Sequence, residues 1–179
     1  MYAQPRPGSP PLLRPPVPPH PIVVVVHDIR SAYNVGSVFR TADSAGLARV
    51  VLTGFTATPA HRGVAKTALG AEDAVPWIQT DDVHAALAAL RAEGYTIAAL
   101  ERTPDAIPPR AVPTEAFPLA LVLGNEVHGV PDDVLQAADL VVGLPQYGEK
   151  ASLNVSVAFG VAAYGLVARA REAGGIERG

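Results

Sequence analysis

Three stretches of this 179-residue chain gather polar side chains of kinds that do chemistry. The first is Asn34-Val35-Gly36-Ser37-Val38-Phe39-Arg40-Thr41-Ala42-Asp43. Asn34 is of a type that caps helices, Gly36 lets a second backbone approach the first turn, and Arg40 follows one and a half turns later. A helix N-terminus with a guanidinium nearby suits an anion such as a phosphate. A capped helix whose arginine reaches solvent accounts for the same residues. The second stretch, Leu123-Gly124-Asn125-Glu126-Val127-His128-Gly129-Val130-Pro131, sets a carboxylate between two glycines. Glycines there let a ligand reach the backbone, and Glu126 could accept hydrogen bonds from sugar hydroxyls or amides; an ordinary strand-to-helix turn fits equally well. The third runs from Leu144-Pro145-Gln146 to Ser152-Leu153-Asn154-Val155-Ser156. One N-cap suffices for a helix, and Asn and Ser inside its first turns compete with backbone hydrogen bonds. Their presence suggests a role beyond capping, with extra capping polarity as the plain alternative.

The elements that must position these residues alternate along the chain. Ile22–His27 is a continuous β-branched run, as in a strand buried on both faces. Val35, Val38, Phe39 and Ala42 have helical spacing over Asn34–Ala45, and Gly46 stops that helix. Arg49–Leu52, Val75–Gln79, Tyr95–Leu100, Leu119–Leu123 and Leu140–Leu144 read as further strands. Helices are expected at Val64–Gly70, at Asp82–Glu93 behind the capping residues Thr80 and Asp81, at Asp132–Ala138 and at Ser152–Glu172. Alternation of this kind predicts an α/β fold with a mainly parallel sheet, whose ligands bind where loops leave the carboxyl ends of strands. The loops after Val26, Leu100, Leu123 and Leu144 are the places to look.

Composition narrows the chemistry. Half of the 18 prolines fall in residues 1–21, which read as a disordered or polyproline-like tail ahead of a domain at 22–179. Without cysteine there is no disulfide, no thiolate metal site and no cysteine nucleophile. The five histidines, His20, His27, His61, His84 and His128, lack ligand spacing, so no metal is expected. A net charge of −3 excludes an overall basic coat. It leaves room for a local patch from Arg30, Arg40, Arg49, His61, Arg62 and Lys66, since only Asp28 and Asp43 are acidic between residues 22 and 71. Aromatics, at 6%, are too few for a stacking platform of the single-strand-binding type. No apolar run is long enough to span a bilayer and the N-terminus does not read as a signal peptide, so a cytoplasmic protein is expected. A Rossmann-type oxidoreductase is disfavoured, because no G-x-G-x-x-G follows the first strand.

In this order the three stretches resemble the SpoU family of RNA 2′-O-ribose methyltransferases, within the SPOUT superfamily. The matching residues are Asn34-x-Gly36-x-x-x-Arg40-Thr41-Ala42-Asp43-x-x-Gly46, then Leu123-Gly124-Asn125-Glu126-x-x-Gly129, then Leu144-Pro145 with Ser152-Leu153-Asn154-Val155-Ser156-Val157-Ala158. Lys66–Glu72 and Val75-Pro76-Trp77 are also similar to many members. Gln146 departs from the methionine often found there, and many members carry an N-terminal RNA-binding domain where this chain has its prolines. The resemblance implies an α/β knot, with a deep trefoil formed by the C-terminal segment from about residue 119 to 170. It implies S-adenosyl-L-methionine as cofactor, contacted by Gly124, Leu144 and Leu153, with Leu100 lining the adenine pocket. It assigns Arg40 to the ribose 2′-hydroxyl, with Asn34, Glu126, Ser152 and Asn154 in support.

The implied reaction is methylation of a tRNA or rRNA nucleotide, with a non-catalytic RNA-binding protein of the same fold as the alternative. A ribose hydroxyl is almost fully protonated at neutral pH, and a guanidinium beside it lowers its pKa. Arginine is itself a poor base, so positioning and charge stabilisation are the expected role of Arg40. A homodimer is expected as well. In the last helix Val155, Ala158, Phe159, Ala162, Ala163, Leu166 and Val167 form one apolar face, which Val157, Val161 and Tyr164 extend around the side. Gly160 and Gly165 within it suggest close packing, and the resemblance adds that Arg40 of one subunit acts near the cofactor of the other.

Overall fold

The β-branched run near the N-terminus forms β1 (His20–His27), in the interior of a six-stranded sheet. Ile22, Val24 and Val26 point into one hydrophobic core, and Val23 and Val25 into another on the opposite face. Burial on both sides is why this strand shows no apolar–polar alternation. Each such side chain contributes about 1.5–3 kcal/mol on burial. The computed structural model describes residues 18–149 and 152–174; of the tail expected at 1–21, residues 1–17 lie outside them, whereas His20 and Pro21 open β1.

After β1 come α1 (Ala32–Ser44), β2 (Leu47–Thr53), α2 (Arg62–Ala68), α3 (Ala71–Ala74), β3 (Trp77–Thr80) and α4 (Val83–Ala92). The second half holds β4 (Thr96–Leu100), β5 (Leu119–Leu123), α5 (Asp132–Ala137), β6 (Leu140–Val142) and α6 (Val155–Ala173). The strand order is β3-β2-β1-β5-β4-β6, and every pairing between these strands is parallel. α1 and α6 cover one face through Val35, Val38, Phe39, Phe159 and Leu166. α4 and α5 cover the other through Val83, Leu87, Leu90 and Val134. The expected α/β architecture with a mainly parallel sheet is the one observed.

Several boundaries differ from the sequence reading for local reasons. Asn34 does not cap α1: Ser31 does, its Oγ accepting from Asn34 N at 3.3 Å, so the helix starts two residues earlier. Asp82, not Thr80 or Asp81, caps α4, accepting from His84 N and Ala85 N. α6 starts after Asn154, its N-cap, which leaves Ser152 and Leu153 in the loop before it. Ser156 sits in the first turn but donates from Oγ to Asn154 Oδ1 at 2.7 Å, so it supports the cap instead of competing with the helix. The short α3 was not anticipated; it starts where Leu69 and Gly70 both take left-handed conformations. Gly46 ends α1 in the left-handed conformation, as expected.

Candidate active site

Each of the three polar stretches leaves the carboxyl end of a parallel strand or opens the helix beyond it. The loop after β5 is the most constrained. Asn125 and Gly129 exchange two backbone hydrogen bonds, of 2.9 and 2.8 Å, and Asn125 Oδ1 accepts from Val127 N and His128 N. Asn125 Nδ2 donates to Asp28 O at 2.7 Å, which ties the loop to the end of β1. Gly129 needs its left-handed φ of 72°, and a Cβ on Gly124 would strike the Gly129 backbone. Gly124 thus makes room for the Gly129 backbone, while a Cβ on Gly129 would meet the Glu101 carboxylate.

From this rigid loop Glu126 reaches across to the start of α1. Its carboxylate accepts from Arg30 N (2.9 Å), Ser31 N (3.0 Å) and Asn34 Nδ2 (2.9 Å). Burial alone would push its pKa up, but the Arg30 amide, the Asn34 side chain and the Ser31 amide outweigh that and hold it below the ordinary glutamate value. Glu126 is thus held as an anion beside a helix N-terminus. The other end of the Asn34 amide continues the chain: Asn34 Oδ1 accepts from Asn154 Nδ2 at 3.1 Å. Asn154 Oδ1 in turn caps α6 at Ser156 N and Val157 N. Glu126, Asn34 and Asn154, one from each stretch, form a single hydrogen-bonded relay.

Beside this relay lies a cleft of about 710 Å³, a size suited to a cofactor. Leu100, Gly124, Leu144 and Leu153 all line it, together with Glu126, Ser152 and Asn154. Asn34 reaches it only through its bonds to Glu126 and Asn154. Arg40 does not line this cleft. It borders a separate groove with Ser37, Thr41, Ser44, Val157, Gly160, Val161 and Tyr164, between α1 and α6. Sequence reasoning missed Glu101 at the end of β4. Its carboxylate accepts from Val130 N at 3.0 Å and from Arg102 N at 2.8 Å, holding the far side of the β5–α5 loop. An acid directly after the strand end at Leu100 was the available signal. Among the described residues no cluster of three or more His, Cys, Asp or Glu side chains could hold a metal ion, and no helix is long and apolar enough to cross a membrane.

Known proteins are similar to this chain in sequence and in fold. The chain is 30% identical over 149 residues to the 23S rRNA (guanosine-2′-O-)-methyltransferase RlmB of Vibrio parahaemolyticus, covering 82% of this chain and 59% of that one. It therefore spans less than two thirds of that relative's length. A crystal structure of the TrmH/SpoU tRNA modifying enzyme of A. aeolicus superposes with a TM-score of 0.74 at 28% identity, over 87% of this chain and 78% of that one. The AdoMet-bound rRNA methyltransferase of Sinorhizobium meliloti gives 0.74 at 26% identity, over 84% and 56%. The model of the SpoU rRNA Methylase family matches residues 21–164, which hold β1 from its second residue, all three polar stretches and the relay that joins them: this chain belongs to that family.

Proposed function

We propose that this protein transfers a methyl group from S-adenosylmethionine to the ribose 2′-hydroxyl of a tRNA or rRNA nucleotide, in the cytoplasm and as a homodimer. The observation that carries the reading is the relay Glu126–Asn34–Asn154 at the mouth of a cleft lined by Leu100, Gly124, Leu144 and Leu153.

The residues present fit the cofactor. Leu100, Leu144 and Leu153 supply apolar walls for a flat adenine ring, and Gly124, packed on the Gly129 backbone, lines the cleft without a side chain. When bound, S-adenosylmethionine supplies a methyl group on a positively charged sulfur that leaves as a neutral thioether. Gly124, Leu144 and Leu153 would hold it, and Leu100 would line the adenine pocket. Glu126, Asn34 and Asn154 fix the loops relative to one another, with Ser152 at the cleft wall. Pre-set geometry of this kind supplies much of a methyl-transfer rate.

Arg40 serves the nucleophile. As a lasting cation it lowers the pKa of the ribose hydroxyl and orients the neighbouring phosphate, while the proton leaves to phosphate or water. Its place in the α1–α6 groove, apart from the cleft, supports a shared site in which Arg40 of one subunit faces the cofactor of the other. Val157, Val161 and Tyr164 along that groove are each more than half exposed, an apolar stripe suited to cover by a second copy. A C-terminal trefoil knot belongs to the same reading. Its support is the family match over residues 21–164.

Purified protein incubated with methyl-labelled S-adenosylmethionine and bulk tRNA and rRNA tests the proposal. Nucleoside mass spectrometry should recover label as 2′-O-methyl ribose. Label on a base, or none on RNA from cells lacking the protein, would contradict it.

A further inference from the structure

Two large aromatic side chains stand exposed on rigid backbone next to the relay. Phe55 is 63% exposed in the turn after β2, and Tyr33 is 53% exposed in the first turn of α1. Neither belongs to a loose loop. Phe55 N donates to Asp28 Oδ1 at 3.0 Å, beside Gly54 in its left-handed conformation. Thr56 Oγ1 donates to Val26 O at 3.0 Å and accepts from Ile29 N at 3.1 Å, which locks this turn onto the end of β1. The Tyr33 carbonyl accepts from Ser37 Oγ and Thr67 Oγ1, both at 3.0 Å, and the Lys66 ammonium lies 5.8 Å from its ring centroid.

Apart from the Asp28 and Glu126 carboxylates, which accept hydrogen bonds from Phe55 N and from the start of α1, the surroundings are basic. Arg30, His61, Arg62 and Lys66 are exposed, and residues 29–42 and 54–71 contain no Asp or Glu, in a chain whose acids outnumber its Lys and Arg 17 to 14. Flat rings in a positive field fit a ligand with exposed bases on an anionic backbone. The place is right as well. β2 lies two strand spacings from β5, roughly 10 Å. Asp28, which anchors Phe55, also receives Asn125 of the β5–α5 loop.

We propose that Phe55, with Tyr33 beside the Lys66 ammonium, stacks an unpaired base of the RNA next to the methylated nucleotide. This rests on the RNA-methyltransferase reading above. The low aromatic content excludes a run of stacking sites, but one or two base positions need only these two rings. Phosphates on either side meet Arg30, Arg62 and Lys66.

The test is fluorescence anisotropy of the full-length protein with a labelled, mixed-sequence, single-stranded RNA, and with a duplex of the same length, at low salt. Phe55→Ala should weaken single-strand binding about ten-fold, Phe55→Trp should restore it, and duplex binding should not change between them. Arg62→Ala should lower the slope of log affinity on log salt by about 0.7. Calorimetric binding of S-adenosylmethionine should stay the same in Phe55→Ala, showing that the variant is folded. If wild type binds the single strand and Phe55→Ala binds it within two-fold, the stacking proposal is overturned and the surface serves another partner. If wild type binds neither RNA, the RNA reading itself fails.

Discussion

Glu126 is held by donors and not by a cation: two main-chain amides and the Asn34 side chain share its charge. Its folded pKa is depressed, so it adds stability that is present above the unfolded value of ~4.3 and is lost as pH falls through the lower folded value. Glu126→Gln should remove that share. Melting temperature against pH should then fall less steeply below about pH 4.3 in the variant than in wild type; parallel curves would show that the carboxylate contributes nothing there. Asn34 is the joint of the relay, and Asn34→Ala cuts it at both ends. Turnover should drop on the order of a hundredfold with the S-adenosylmethionine affinity nearly unchanged, because Asn34 aligns loops without lining the cleft. Calorimetry and single-turnover methylation separate the two. The residue types of the relay were legible in the sequence. The partner of Asn34 was not: Asn and Ser both cap helices, and only the folded chain shows Ser31 taking the cap and freeing Asn34 to bridge Glu126 and Asn154. Asn125 stands within the second polar stretch, but its bond to Asp28 O spans 97 residues and no local spacing announces it.

Helices and strands of this chain were readable where burial is two-sided or capping is unambiguous. β1 and β5 are nearly continuous apolar runs, and β5 has the expected bounds. β6 stops two residues short, at Val142, and Leu144 turns into the cleft. The crossing of α1 over α2 shows the close backbone approach that Gly36 led one to expect, and α2 is the element that makes it. A Cβ on Gly36 would collide with Thr67 Oγ1 and Val64 O, so the two helices touch backbone to backbone there. Gly36→Ala should therefore destabilise despite its better helix propensity, by a net of about 1–2 kcal/mol. That corresponds to a fall of about 2–8 °C in melting temperature, read by calorimetry; an unchanged or raised value would mean the helices can part without cost. Gly165 packs likewise against Pro109, as expected for a tight contact. Gly160 differs: a Cβ there meets nothing within 4 Å, because its side of α6 opens on the groove that Arg40 borders. The close packing expected at Gly160 is therefore not made within the chain.

The whole molecule divides its proposed chemistry between two places. The cleft over β5, β4 and β6 gathers the cofactor residues, while Arg40 stands in the α1–α6 groove flanked by the exposed Val157, Val161 and Tyr164. Sequence order alone puts Arg40 six residues from Asn34 and cannot reveal that the two serve different surfaces. Mixed dimers test the resulting account most directly. Arg40→Ala keeps the cleft and loses the guanidinium; Leu153→Arg fills the cleft from a side chain that is already 44% exposed, so the fold survives, and keeps Arg40. Each variant alone should be inactive. Unfolded together and refolded, half of the dimers carry one of each chain, and in a two-fold pair that assembles one complete site out of two. The predicted methyl-transfer rate per chain is about a quarter of wild type. A mixture no more active than its two parents, with mixed dimers verified by native mass spectrometry, would contradict the shared site.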